Sequence, residues 1–166
     1  GLDESSFDEI WRSKQRYTND LLADIEENNF LVENLGKLKD SGVKIVCASN
    51  SIRSTVETVL TNLGIINIFD MVLSNEDVKN SKPHPEMYWI PMIKYGISPE
   101  NTLIVEDSPV GRLGAKLSGS NVYFIEESSD LDSSFFFQIE NNNIAKLNSD
   151  LNSYNNKKLN VLIWIH

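Results

Sequence analysis

The sequence predicts an α/β protein in which a mostly parallel sheet is flanked by helices. Short apolar runs rich in β-branched residues alternate with segments of helical periodicity, which is typical of β-α units. Several of these runs pass directly into polar residues, as buried parallel strands do where a helix follows. The composition agrees, because 40% of the 166 residues are hydrophobic and 23% are charged, as in an ordinary globular domain.

Each element follows from its own periodicity. Residues 7–26 place apolar side chains at near-helical spacing, and residues 31–40 do the same before Gly42, where a helix can end. Pro91 lies within a later helix, which we expect it to bend or interrupt. Strands are predicted over 43–48, 69–74, 102–105 and 121–125, and helices over 51–64, 85–95 and 109–118.

The pattern weakens after residue 126. Residues 127–166 are rich in Asn, and we expect loops there with a short helix around Ile144–Leu151. The segment 160–165 (NVLIWI) is apolar and strand-like, because its β-branched and aromatic residues suit a buried strand.

Net charge and cysteine content exclude several classes of protein. A formal charge of −9 and a pI near 4.7 argue against nucleic acid or an anionic membrane as the partner, since both are negatively charged. Cys47 is the single cysteine, so no disulfide can form within the chain. No apolar run is long enough to span a bilayer, and the acidic N-terminus is unlike a signal peptide. We therefore expect a cytoplasmic protein.

Polar residues at the ends of the predicted strands are the candidate site. Ser49, Asn50 and Ser51 follow the strand KIVCA and precede a helix, where a hydroxyl, an amide and free backbone N–H groups can bind an anion. The simpler alternative is that Ser51 caps the helix.

Two further features complete this set. Lys82 lies in SKPHPEMY, where its ammonium group can neutralise a phosphate or a buried carboxylate, although most single lysines are solvated. Glu106 and Asp107 end the strand TLIV, and adjacent carboxylates there suit Mg²⁺. The alternative for Asp107 is a helix cap.

These features, in this order, resemble the haloacid dehalogenase superfamily. VCASNSIRSTVE, SNEDVKNSKPHPEMY and LIVEDSPVGRLGAKLSGS are similar to its second, third and fourth motifs, in members that carry a helical cap. That group includes phosphatases of small phosphate esters and the β-phosphoglucomutases. The resemblance implies three regions: residues 1–40 as the last part of the cap and the return to the core, residues 41–126 as the Rossmann-like core, and residues 127–166 as a tail.

The resemblance also implies a role for each matching residue. Ser49 and Asn50 would bind the phosphoryl group, and Lys82 would balance charge between that group and the nucleophile. Asp107 would bind Mg²⁺, with Glu106 as a second ligand or acting through water. The implied activity is a Mg²⁺-dependent phosphatase acting on a small phosphorylated metabolite, and a phosphomutase is the alternative.

The cap-like helix and the histidines add less. On that helix, Lys14, Arg16 and Tyr17 are candidate substrate contacts, although a solvated helix face is the simpler interpretation. His84 and His166 have no recognisable partner residues. A nucleotide-binding module is disfavoured because the sequence has no Gly-rich phosphate loop.

The family's first motif, an apolar strand running into Asp-x-Asp-Gly with the nucleophile, is not found in residues 1–166. Asp130-Leu131-Asp132 is followed by Ser-Ser in a polar stretch, which predicts a loop. Two hypotheses remain open: a truncated phosphatase whose nucleophile lies on other sequence, or a non-catalytic phosphate-binding or interaction protein. In both cases we expect these residues alone to hydrolyse phosphate esters hardly at all.

In the family's sheet the first-motif strand is central, between the strands of the second and fourth motifs. An empty central position would leave buried N–H and C=O groups unpaired on both sides. We predict that residues 160–165 fill this position. The alternative is that they pair at the sheet edge while a second chain or a missing N-terminal segment supplies the centre.

Overall fold

In the computed structural model of the protein, residues 24–142 are described continuously, together with residues 8–10, 12–13, 22 and the backbone of 161–164. Five strands form one parallel sheet in the order β2-β1-β5-β3-β4. The strands are β1 (Lys44–Ala48), β2 (Met71–Leu73), β3 (Thr102–Glu106), β4 (Asn121–Phe124) and β5 (Val161–Trp164). The predicted α/β fold with a parallel sheet is therefore confirmed.

The helices agree with the sequence prediction to within a few residues, with one addition. They are α1 (Asn29–Asp40), α2 (Arg53–Asn62), α3 (Glu86–Tyr95), α4 (Pro109–Leu117) and α5 (Ser133–Glu140). Helix α3 continues through Pro91, so the predicted interruption there is wrong. Helix α5 was not predicted. Most of the helix predicted over 7–26 lies outside the described residues, and so does all of the helix predicted around 144–151. Lys14, Arg16, Tyr17 and His166 also lie outside them.

Side chains at the helix ends explain these boundaries. The Asn28 side chain accepts a hydrogen bond from the Leu31 N–H and begins α1, and the Asp132 side chain does the same for Phe135 at the start of α5. Gly96 ends α3 with a φ of 64°, a left-handed conformation that a residue without a Cβ adopts at little cost.

The strands carry apolar side chains on both faces of the sheet, as buried parallel strands do. Ile45 and Cys47 of β1 face α1, α2 and α5, while Val46 and Ala48 face α3 and α4. Helix α5 contributes three buried residues to the first core: Phe135, Phe136 and Ile139. None of the helices in the described part of the chain is both long enough and apolar enough to cross a membrane.

Strand β5 lies in the centre of the sheet. Val161 is opposite Lys44 of β1 and Thr102 of β3, and Trp164 is opposite Cys47 and Val105. The preferred prediction for 160–165 is thus confirmed for Val161–Trp164, and the edge position is wrong. Because β1 and β3 each pair with β5, their inner edges are hydrogen-bonded, and the carboxyl ends of both strands lie at one edge of the sheet.

Candidate functional site

Lys82 connects the carboxyl ends of β1 and β3. Its Nζ donates hydrogen bonds to the Ala48 carbonyl oxygen at 3.0 Å and to Glu106 Oε1 at 2.7 Å. The backbone N–H of Lys82 donates to Asn50 Oδ1 at 3.2 Å, which fixes the loop that carries the lysine. Three of the predicted site residues, Asn50, Lys82 and Glu106, are therefore brought into direct contact at this edge of the sheet.

Lys82 is a buried cation, with 8% of the residue exposed. Burial lowers the pKa of its ammonium group, whereas the neighbouring Glu106 and, less strongly, Asp107 act to raise it. The ammonium group also lies 5.6 Å from the centre of the Tyr88 ring. Of the two partners considered for Lys82, a phosphate or a buried carboxylate, the structure shows the carboxylate, which is that of Glu106.

Glu106 is fully buried and accepts hydrogen bonds at both carboxylate oxygens. Lys82 Nζ and the Tyr88 hydroxyl donate to Oε1 at 2.7 and 2.9 Å. The backbone N–H and the hydroxyl of Ser108 donate to Oε2 at 3.1 and 3.0 Å. Burying a carboxylate is costly unless it is hydrogen-bonded, and these four donors satisfy both of its oxygens.

Tyr88, Ser108 and Gly111 are site residues that the sequence analysis missed. Tyr88 is fully buried, and its hydroxyl also lies 3.1 Å from the Gly111 carbonyl oxygen. Burial and the neighbouring Glu106 raise the pKa of Tyr88, so the hydroxyl remains a donor. Gly111 is required because a Cβ there would overlap the Glu106 carboxylate. The available signal was a tyrosine among the apolar residues of α3, since a buried tyrosine usually needs a partner for its hydroxyl.

Ser49 and the start of α2 lie beside this cluster. Ser49 is 2% exposed, its N–H donates to the Leu73 carbonyl oxygen, and its hydroxyl oxygen accepts from the Ser51 N–H at 3.1 Å. The N-cap residue of α2 is Ile52, whose side chain makes no capping hydrogen bond. The alternative in which Ser51 caps that helix is therefore wrong. Instead, Glu76 reaches from the loop after β2 and accepts from the Arg53 N–H at 2.7 Å.

Asp107 is exposed at the end of β3. Ser108, whose hydroxyl accepts from the Gly111 N–H at 3.0 Å, caps α4, so the alternative in which Asp107 does so is wrong. Among the described residues, no group of three or more His, Cys, Asp or Glu side chains is arranged to hold a metal ion. Mg²⁺ binding by Asp107 and Glu106 therefore stays a prediction.

The remaining candidates have structural roles. Asp130 lies in a short 3₁₀ turn, Ser128–Asp130, and its carboxylate accepts from the N–H groups of Glu126 and Glu127, while Asp132 caps α5. The predicted loop at this Asp-Leu-Asp sequence is confirmed. The exposed His84 accepts from the Glu86 N–H through Nδ1 at 3.2 Å, which is a local loop contact.

Comparisons with known proteins identify the family of this chain. The family model described as haloacid dehalogenase-like hydrolase matches residues 3–125. The chain belongs to the haloacid dehalogenase-like hydrolases. A pyrophosphatase of Bacillus cereus is 30% identical over 120 residues, which are 72% of this chain and 56% of that protein. A phosphoglycolate phosphatase of Salmonella typhi is 35% identical over 98 residues, 57% of this chain and 39% of that protein.

A crystal structure of β-phosphoglucomutase from Clostridium difficile has the same fold as this haloacid dehalogenase-like chain. The TM-score is 0.66 at 22% identity, over 87% of this chain and 71% of that one. The chain spans about half the length of its curated relatives, or less. By name, the two curated relatives described above are a pyrophosphatase and a phosphoglycolate phosphatase.

Proposed function

We propose that this chain forms the phosphate- and Mg²⁺-binding side of a phosphatase that acts on a small phosphorylated metabolite. The observation that carries the proposal is the buried cation Lys82, fixed between the ends of β1 and β3 where ligands of parallel α/β sheets bind. Phosphoryl transfer depends mainly on positioning and on neutralising charge, and a fixed ammonium group contributes to both.

The other residues take roles around Lys82. Ser49 and Asn50 follow β1 and would donate hydrogen bonds to phosphate oxygens, and Asp107 follows β3 and would hold Mg²⁺. Asp107 fits a Mg²⁺ ligand, because this ion is usually bound by one or two carboxylates and keeps several water ligands, and Asp107 is exposed to water. Bound Mg²⁺ would neutralise part of the charge on the phosphoryl group. Phosphatase rather than phosphomutase activity is favoured by the two curated relatives described above, a pyrophosphatase and a phosphoglycolate phosphatase.

A non-catalytic phosphate-binding role is the second candidate, and β5 favours it. Residues Val161–Trp164 fill the central position, and they supply no carboxylate nucleophile there. For the polypeptide of residues 1–166, we therefore expect phosphate binding with little or no turnover. A cytoplasmic location remains part of this proposal, as does the absence of nucleic acid and membrane partners.

The test separates binding from turnover. Inorganic phosphate binding is measured by calorimetry with Mg²⁺, and p-nitrophenyl phosphate hydrolysis is followed with Mg²⁺ and with EDTA. We expect Ser49→Ala to weaken phosphate binding by about tenfold, since a hydrogen bond to a charged group contributes roughly 1.5–3 kcal/mol. Asp107→Asn should also weaken it, because the Mg²⁺ that Asp107 would hold neutralises part of the phosphate charge. The controls are Ser54→Ala on the exposed side of α2 and Asp40→Asn at the opposite edge of the sheet.

Each outcome decides something. Phosphate binding that the site variants weaken and the controls do not supports the proposal. Turnover that depends on Mg²⁺ and on Asp107 would show that the polypeptide of residues 1–166 is an active phosphatase. It would overturn the expectation of little turnover. Phosphate binding that is unaffected by Ser49→Ala and Asp107→Asn would overturn the proposed site.

A further inference from the structure

Glu106 is the predicted metal ligand whose surroundings fit that role least. An ionised carboxylate offers about four lone-pair positions on its two oxygens. Glu106 already accepts two hydrogen bonds at each oxygen, from Lys82, Tyr88 and the N–H and hydroxyl of Ser108. Mg²⁺ binds oxygen ligands at about 2.0–2.1 Å in near-octahedral geometry, so it would have to displace at least one of these donors.

The packing around Glu106 also opposes such a displacement. The side chain is 0% exposed. The carboxylate contacts the backbone of α4 so closely that a Cβ at residue 111 would overlap it. Tyr88 on α3 donates to Oε1, and Ser108, the N-cap residue of α4, donates to Oε2. The carboxylate is therefore enclosed between two helices and Lys82.

Charge gives a third reason. Lys82 is buried, and Glu106 is the carboxylate that directly contacts its ammonium group. A cation that drew Glu106 away would leave that ammonium group in the interior without its partner, which is strongly unfavourable. Asp107 differs because it is exposed, and its neighbour Ser108, rather than Asp107 itself, caps α4.

We propose that Tyr88 and Ser108 reserve Glu106 as the counter-ion of Lys82, and that Asp107 alone of the two adjacent carboxylates binds the divalent cation. Tyr88 is then a positioning residue, which acts on the site through Glu106. This inference rests on the proposed function, because the cation in question is the one that the proposed phosphatase site would use.

The proposal has a consequence whose sign is unusual. Removing a donor from Glu106 frees a lone pair and loosens the carboxylate, so Tyr88→Phe should strengthen divalent-cation binding. A variant that merely damaged the structure would weaken binding instead. The phenylalanine ring fills the same volume as the tyrosine ring, so the fold is retained. Tyr95→Phe is the matched control, since Tyr95 lies on the same helix and its hydroxyl donates to the Asp70 carbonyl oxygen, which directly precedes β2.

The measurement uses Mn²⁺ as a spectroscopic probe with the full 166-residue chain. Free Mn²⁺ is quantified by electron paramagnetic resonance, and Mg²⁺ is added as a competitor. We expect Asp107→Asn to weaken binding about tenfold or more, as loss of a direct ligand does. Tyr88→Phe should strengthen binding about two- to fivefold, which is the size of one hydrogen bond. Glu106→Gln should change the affinity by only about threefold or less, which is the size of a weak charge interaction without direct ligation. Glu126→Gln, an exposed carboxylate beyond β4, is the charge control.

The outcomes separate this inference from the function on which it rests. Binding that requires Asp107 and is strengthened by Tyr88→Phe supports the inference. Binding that Tyr88→Phe and Glu106→Gln both weaken by about the same factor as Asp107→Asn would overturn it, while leaving a metal-dependent phosphatase site intact. No Mg²⁺-competed binding in the unchanged protein would overturn the proposed function and the inference together.

Discussion

Two ion pairs hold the segment between β2 and α3, and they differ in their surroundings. Lys82 and Glu106 are 2.7 Å apart with side chains 3% and 0% exposed. Arg53 and Asp77 are 2.6 Å apart with side chains 38% and 28% exposed. The distances are nearly equal, so we expect any difference in what the pairs contribute to stability to come from their burial or exposure to solvent rather than from their geometry.

The two pairs also connect different parts of the sheet. Lys82 contacts the end of β1 and the end of β3, so the buried pair joins the two halves of the sheet across β5. Arg53 begins α2 and Asp77 follows β2, so the exposed pair lies within the β1–β2 half. The exposed pair fixes the position of a loop, whereas the buried pair fixes a charge. Four predictions test this distinction, in order of decreasing effect.

The largest effect is expected from breaking β5. Ile163→Pro removes a backbone N–H from a central strand, and β5 is what joins β1 to β3. We expect a loss of at least about 3 kcal/mol, because several ladder hydrogen bonds of roughly 0.5–1.5 kcal/mol each are lost together. Urea unfolding measures the change, with Ile163→Val as the control. A change below 1 kcal/mol (roughly) would contradict a central β5.

Next in size is removal of one partner of the buried pair. Lys82→Ala leaves Glu106 buried without its cation, and we expect the free energy of unfolding to fall by about 3–5 kcal/mol. The double variant Lys82→Met with Glu106→Gln should be less destabilised than the single variant, because no uncompensated charge remains. If the double variant is less stable than Lys82→Ala, the attraction between the two charges contributes more to stability than the cost of burying an unpaired charge.

A smaller effect is expected from added volume beside the buried pair. Gly111→Ala places a methyl group against the Glu106 carboxylate and should cost about 1–3 kcal/mol. Gly36→Ala is the matched control, because a Cβ there meets no atom within 4 Å and Gly36 lies inside α1. That control should stabilise the protein by roughly 0.5–1 kcal/mol. Equal effects of the two substitutions would exclude tight packing around Glu106.

The smallest effect is expected at the exposed pair. Burial acts to raise the pKa of Asp77, but hydrogen bonds from Arg53 and Ser74 outweigh it, and the pKa is lowered. Asp77→Asn should cost about 1 kcal/mol near neutral pH. A carboxyl with a lowered pKa stabilises the fold above its unfolded pKa of about 3.9 and loses that contribution as pH falls through its lower folded value. The difference between variant and parent should therefore disappear in acid and persist at neutral pH.

Much of the fold and part of the site follow from sequence patterns. The four strands from 44 to 124 and the helices between them are short and periodic, so their boundaries depend mainly on nearby residues. Ser49, Lys82 and Asp107 were chosen as candidates because parallel strands end at one edge of a sheet, and chain order then indicates which residues lie there.

The rest depends on contacts that sequence order does not reveal. Tyr88 and Ser108 were missed because their role is to donate to Glu106, and the pairing of Tyr88 with Glu106 depends on how α3 packs against β3. Helix α5 was missed because its three aromatic residues follow one another, so two of them are buried and Phe137 is 58% exposed, without a clear helical period. The contacts to Glu106 and the formation of α5 both depend on tertiary packing, which local sequence patterns do not reveal.

The central position of β5 has a consequence for the order of folding. During synthesis, β1 to β4 leave the ribosome before Val161–Trp164, at about 5–20 residues per second. Until then, the facing edges of β1 and β3 have no partner strand from this sheet, and such open edges can pair with other chains. The contacts that complete the sheet also join residues that are distant in the sequence, which slows folding. Completion of the sheet, and with it the assembly of the Lys82 site, must therefore wait until β5 has been synthesised.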